Sequence, residues 1–228
     1  MKVVAAYNVK GGVGKTTISV NLAYAASRRY RVLLWDLDEQ GGSSLILGAR
    51  GAPRRNGRTS QLSDHIEPTI WDGVSIVPAD RMEHLIDRHD LPKRLRALLD
   101  KVGNSYDWII LDCPPARGPI ADQIFEAADL IVVPVIPAAL SIAAFEDLEE
   151  KIAARKGAKP PLLPVFSQVD LRRSAHRRAV EAEPDWIVIP YAVAMEQMVE
   201  RKLPIALSAP RSSVAAPLAK LWKAVERR

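Results

Sequence analysis

Only one of the 228 residues is a cysteine, Cys113, so neither a disulfide framework nor a Cys-x-x-Cys metal site is open to this chain. Histidine is scarce as well. His65, His84, His89 and His176 are scattered through polar surroundings and form no catalytic constellation. No apolar run reaches the roughly 20 residues that a membrane-spanning helix needs. There is no internal repeat, no low-complexity tract and no break in composition to mark a second domain, so one α/β domain over residues 1–228 is expected. The first strand pattern starts at residue 2 with no secretory leader before it, and a cytoplasmic location is expected. A large excess of one charge is also missing: 32 Lys and Arg face 27 Asp and Glu, for a net charge of +5 and a sequence pI near 9.4. That balance is modestly basic and suits an anionic partner such as DNA or an acidic membrane surface.

What is present is an alternation. Strand patterns fall at Lys2–Tyr7, Arg31–Trp35, Val74–Pro78, Trp108–Leu111, Leu130–Pro134, Leu162–Phe166 and Trp186–Ile189. Several are apolar throughout, as in Ile109-Ile110-Leu111 and Leu130-Ile131-Val132-Val133, and such strands are buried on both faces. Helical patterns lie near Thr16–Arg28, Met82–Val102, Pro119–Ala127, Ile142–Lys156, Ser174–Glu183, Met195–Lys202 and Ser213–Glu226. The reading is an α/β fold: a doubly wound, mostly parallel sheet flanked by helices, with right-handed crossovers and ligands at the carboxyl ends of strands. Residues Gly48–Gly73, rich in turn formers and cations, read as a surface loop.

Between the first strand and the first helix stands Asn8-Val9-Lys10-Gly11-Gly12-Val13-Gly14-Lys15-Thr16-Thr17. A glycine-rich turn there aims backbone N–H groups and a helix N-terminus at one spot, which suits a polyphosphate. Lys15 is placed to reach the outer phosphates of ATP, and the Thr16 hydroxyl to ligate Mg²⁺. The common pattern G-x-x-x-x-G-K-[ST] fails at its first glycine, where Val9 stands, and a second lysine, Lys10, appears. Two further segments end strands with acids. Asp36-Leu37-Asp38-Glu39-Gln40 follows the second strand, where paired carboxylates beside a phosphate loop serve Mg²⁺ and an attacking water. Asp112 closes Ile109-Ile110-Leu111, where a carboxylate ending a buried strand holds Mg²⁺.

The segment K-G-G-x-G-K-[ST], with Asp36-x-Asp38 and Asp112-Cys113-Pro114-Pro115, resembles the ParA/MinD branch of the P-loop NTPases. The resemblance runs from residue 2 to about 226 and is weakest at 48–73. It implies that Lys10 reaches the nucleotide of a second subunit, that Asp38 places the water, and that Ala116-Arg117-Gly118 is a phosphate-sensing switch. It also implies that the loops after two later strands, around Gln168 and around Pro190-Tyr191, enclose the purine. The chain departs from the family at Glu39, where a proline is usual, and at Ala116, where a serine is usual.

Three functions share this fold, and the fold does not choose among them. One is a ParA-type ATPase: a homodimer on ATP binding that holds nonspecific DNA, is stimulated by a ParB-like adaptor, and positions plasmid, chromosome or protein cargo on the nucleoid. Its candidate DNA cations are Arg172, Arg173, Arg177, Arg178, Arg201 and Lys202, with a C-terminal set of Lys220, Lys223, Arg227 and Arg228. With no segment before the phosphate loop to bind an operator, the chain resembles the short ParA type. The second is a MinD-like membrane ATPase, for which the amphipathic tail with Leu218, Leu221, Trp222 and Val225 on one face is the candidate element. Packing of that face on the domain is the expected outcome. The third is an amidoligase of the dethiobiotin or cobyrinate type, whose members generally lack the early lysine.

Overall fold

The computed structural model describes residues 1–49, 61–79 and 94–228. Among these, the chain runs β1 (Lys2–Ala6), α1 (Lys15–Ser27), β2 (Val32–Asp36), α2 (Gly42–Ile46), a 3₁₀ turn (Leu62–His65), β3 (Glu67–Pro68), β4 (Val74–Val77) and α3 (Arg94–Asp100). It continues with β5 (Trp108–Asp112), α4 (Pro119–Ala127), β6 (Leu130–Val135), α5 (Ala139–Ala153), β7 (Leu162–Val169), α6 (Ser174–Ala182), β8 (Ile187–Pro190), α7 (Val193–Arg201), α8 (Ile205–Ser208) and α9 (Ala215–Glu226).

The strands form one sheet in the order β3-β4-β2-β5-β1-β6-β7-β8, parallel except for β3. Side chains alternate across it. Val3 and Ala5 of β1 face a layer built from Leu95, Leu98, Leu99, Ile124, Phe125 and Phe145, while Val4 and Ala6 face Ile18, Leu22, Leu221 and Val225. Burial on both faces is why these strands carry no polar alternation. Each segment expected as a strand is one, most within one or two residues of its expected ends; β7 runs on to Val169.

Three differences stand out. Strand β3, antiparallel on the sheet edge, is two residues long, too short for a periodicity to show. The segment Gly48–Gly73 is not all loop, since it holds the 3₁₀ turn and β3, while its residues 50–60 lie outside the described residues. Of the expected helix Met82–Val102, only Arg94–Asp100 is helical among the described residues, and 82–93 lie outside them. The tail behaves as a core element: Leu218, Leu221, Trp222 and Val225 are buried, and the Trp222 ring meets Trp108 at 5.0 Å between centroids. That face is covered by the domain and is not available to a lipid surface.

The arrangement puts β1, β5 and β2 side by side in parallel, with Ala6 opposite Asp112 and Asp36 opposite Asp112. The carboxyl ends of three neighbouring strands therefore open onto one spot.

Candidate nucleotide site

The glycine loop leaves β1 at that spot and enters α1 through Gly14, whose φ of 93° is a left-handed conformation that a side chain would strain. No side chain caps α1, so its first-turn N–H groups can face a ligand. A Cβ added at Gly11, Gly12 or Gly14 would meet no heavy atom within 4 Å. The space in front of the loop is clear, as a phosphate cradle requires.

Lys15 is only 6% exposed, and its Nζ donates to the Lys10 carbonyl at 2.8 Å. Burial lowers its pKa, against the opposing pull of Cys113, Asp112 and Asp38. A buried ammonium with one neutral acceptor is under-coordinated and well disposed to an incoming anion. Lys10 points elsewhere. Its backbone N–H donates to Asn8 Oδ1 at 2.9 Å, Asn8 in turn donates to the Pro134 carbonyl at 2.8 Å, and the Lys10 Nζ lies 3.3 Å from Ser141 Oγ at the start of α5. Val13 buries its side chain, so only its backbone can meet a ligand.

Asp112 is fully buried and accepts from Ser43 Oγ at 2.5 Å, from Ser19 Oγ at 3.1 Å and from the Thr16 hydroxyl. Desolvation raises its pKa, and these three hydroxyls oppose the rise. Asp36 is buried too, and its oxygens are taken by the Ser44 N–H at 2.8 Å, the Ser44 hydroxyl at 2.7 Å and the Asp38 N–H at 3.2 Å. Asp36 thus supports the turn that presents Asp38, and Asp36 and Asp112 are both fully buried, each held by three donors behind the residues that line the cleft. Thr16, Asp112 and the serine hydroxyls supply the hard oxygen donors that fit Mg²⁺. Ser19, Ser43 and Ser44 carried no sequence signal, being ordinary serines until the fold brings them to these carboxylates. Gly42 belongs to the same contact: an added Cβ would come within 3.0 Å of Thr16 Cγ2.

Burial, and then the charge of Asp112, push Asp36 up to about 7. A carboxylate whose folded pKa lies above its unfolded value binds more protons when folded, so its contribution to stability falls as pH rises from about 4 to about 7. In the nucleotide-free chain, thermal melts should show stability falling over that window by up to the order of 1 kcal/mol per pH unit, and Asp36→Asn should flatten the fall. An unchanged slope in Asp36→Asn would place the titration elsewhere.

A cleft of about 940 Å³ opens above these groups. Gly11, Gly12, Gly14, Lys15, Thr16, Thr17 and Asp38 line it, together with Ala116 and Arg117. Ser167, Gln168, Ile189, Tyr191, Met195 and Glu196, from the later strands and α7, line it as well. Pro190 is not among the lining residues: successive side chains of β8 alternate, and Ile189 and Tyr191 take the cleft side. Gln168 adopts a left-handed backbone, φ 55°, and its amide donates to the Gly12 carbonyl of the phosphate loop. Ser167, Met195 and Glu196 were not legible as site residues, since they enter through the last strands and α7. The Ser167 hydroxyl is buried with no hydrogen-bond partner among the described residues.

A family model described as an AAA domain matches residues 1–162. The chromosome-partitioning ATPase Soj of Thermus thermophilus is 33% identical over 226 residues, covering 92% of this chain and 89% of that protein. The chain belongs to the ParA/MinD family. The sporulation initiation inhibitor protein Soj of Bacillus subtilis is 36% identical over 146 residues, 59% of this chain and 58% of that protein, so this match spans little more than half of that relative. In structure, the septum site-determining protein MinD of Pyrococcus horikoshii, complexed with Mg-ADP, aligns over 99% of this chain and 96% of its own at a TM-score of 0.79 and 21% identity, which establishes the P-loop NTPase fold. Lys15, Thr16 and Asp38 all border the cleft described above.

The candidate DNA cations are dispersed. Arg172, Arg173, Arg177 and Arg178 are exposed on or beside α6. Arg172 is committed to Asp170 through two contacts at 2.8 and 2.9 Å, and this pairing holds the Asp170 carboxyl well below the usual carboxylate range. Arg177 donates to the Leu171 carbonyl at 3.2 Å, and Arg201 to the Ser208 carbonyl at 3.3 Å. Lys202 closes α7 in a left-handed conformation, φ 53°.

Proposed function

We propose that this chain is an ATP-dependent dimerising ATPase that binds nonspecific DNA in its ATP state and positions a cargo on the nucleoid, with hydrolysis stimulated by a ParB-like adaptor. The observation that carries this reading is the division of labour between the two lysines. Lys15 sits inside the chain's own cleft, whereas Lys10, on the same loop, is turned out of it toward Ser141. A lysine excluded from its own nucleotide site is available to one on a second copy. Mg²⁺, when bound through Thr16 and Asp112, supplies charge neutralisation at the phosphates. Lys15 binds the outer phosphates, the α1 N-terminus and loop amides orient them, and Asp38 holds the water in line for attack.

DNA is the favoured anionic partner because the exposed arginines of α6 follow directly on β7, whose end lines the cleft. The buried apolar face of α9 counts against the membrane alternative. Sedimentation with ATP, ADP or no nucleotide, each with and without duplex DNA, tests the reading. A dimer should appear only with ATP and should then bind DNA. Each cation withdrawn from a DNA phosphate should reduce the slope of log affinity against log salt by about 0.9. Arg173→Glu with Arg178→Glu should therefore weaken DNA binding at least tenfold at moderate salt and flatten the slope by about two. A monomer under all conditions would remove the core of the proposal, and an ATP dimer indifferent to DNA would shift it toward another anionic surface.

A further inference from the structure

Tyr7 is the last residue before the phosphate loop, and it does not line the cleft. Its ring is 1% exposed and packs edge-on against Phe125 of α4, 5.0 Å between centroids at 85°. Its N–H donates to the Val132 carbonyl at 3.0 Å. A phenylalanine would satisfy all of that. The hydroxyl needs a separate reason, because a buried O–H without a partner is costly. It has one: Tyr7 Oη donates to the Ala116 carbonyl at 2.7 Å, across 109 residues of sequence.

Ala116 lies in the segment that follows Asp112, between Pro114 and Gly118. Its N–H closes a tight turn onto the Pro114 carbonyl at 2.8 Å. Gly118, with φ 74° and ψ −145°, takes a backbone conformation reserved for glycine and starts α4. Ala116 and Arg117 border the same cleft as the glycine loop. One side chain that does not line the cleft therefore ties the residue before the phosphate loop to a segment that does. Burial keeps the phenol protonated and so a donor.

We propose that Tyr7 is a positioning residue whose hydroxyl, held on the Ala116 carbonyl, fixes residues 114–118 against the phosphate loop in the arrangement from which hydrolysis proceeds. The inference rests on the ATPase reading above. Tyr7→Phe keeps the ring and its packing and removes only the clasp. ATP affinity should stay within about twofold, since no cleft group is altered, while kcat falls roughly tenfold, the value of one buried hydrogen bond realised in the transition state. In the nucleotide-free protein, amide exchange over residues 116–125 should quicken by a similar factor, as local opening no longer has to break that bond. Phe125→Leu is the control: it loosens the ring packing and lowers the melting temperature but leaves the hydroxyl in place, so kcat should change by less than about twofold.

A Tyr7→Phe protein with parental kcat overturns the proposal, whether or not its exchange changes. So does a kcat loss that Phe125→Leu reproduces in full, because that loss would follow from packing alone. If the parent chain hydrolyses no ATP, the ATPase reading falls and the positioning role falls with it. The exchange comparison still decides whether the Tyr7–Ala116 hydrogen bond restrains the segment.

Discussion

Asp38→Asn leaves ATP bound and reduces its hydrolysis by roughly 10²- to 10⁴-fold, the range a positioned acid or base commands. The expectation comes from what the side chain does and does not hold. Asp38 sits half-buried at the cleft wall, near Lys15 and Thr16. Its Oδ1 accepts the Gln40 N–H at 3.1 Å, and its carbonyl accepts the Gly41 N–H at 2.8 Å. Asparagine keeps an oxygen for Gln40 and leaves the backbone turn intact, so the fold and the nucleotide affinity should survive, with Kd within about threefold. What is lost is the negative charge to which the proposed function assigns the attacking water. Phosphoryl transfer depends almost wholly on such positioning, so the chemical step carries the loss. Single-turnover hydrolysis with radiolabelled ATP measures it. If hydrolysis ends the dimer, the variant should also accumulate as a stable ATP dimer by sedimentation. A rate within threefold of the parent would mean that another group places the water.

The sequence makes the phosphate end of this site visible because its requirements are local. Glycines at 11, 12 and 14, a lysine and a threonine must follow one another between a strand and a helix, and no distant residue can substitute for them. Asp36 and Asp112 are visible for a related reason: each is a charge at the end of an otherwise apolar run, and strand ends in a parallel sheet are where ligands lie. Their separate tasks are not visible. The hydroxyls that hold Asp112 come from Ser19 and Ser43, 93 and 69 residues away in sequence, and only the sheet order brings them together. The helix α2 was hidden as well, since Gly41-Gly42 reads as a turn, yet Gly42 is the residue that lets α2 approach Thr16. The purine end is the least legible part. Ile189, Met195 and Glu196 form no motif, and the side Gln168 presents depends on a left-handed backbone that its identity does not announce. The tail was legible from its spacing, because Leu218, Leu221, Trp222 and Val225 recur at helical intervals and the core takes that face.

Lys10→Gln should weaken ATP-dependent dimerisation with itself and lower hydrolysis by about 10³-fold or more, the scale of a cation supplied in trans to a transferring phosphoryl group. The residue-10 N–H remains held by Asn8 and its carbonyl still accepts from Lys15 whatever the side chain, so the loop and its Lys15 should be undisturbed and monomeric ATP affinity preserved. The substitution removes one positive charge from a place where the chain's own cleft does not use it. A reduced rate alone would not show which subunit the lysine serves, but mixing does. When Lys10→Gln protein is combined with Asp38→Asn protein, a mixed pair holds one site with an intact Asp38 in its own chain and an intact Lys10 from the other. Its second site lacks both. Because one intact Lys10 still bridges such a pair, mixing should restore activity from two nearly inactive proteins, with about a quarter of the parental rate as the ceiling set by random pairing in a two-fold dimer. If Lys10 instead serves the nucleotide of its own chain, every site in the mixture lacks one of the two groups and no activity returns.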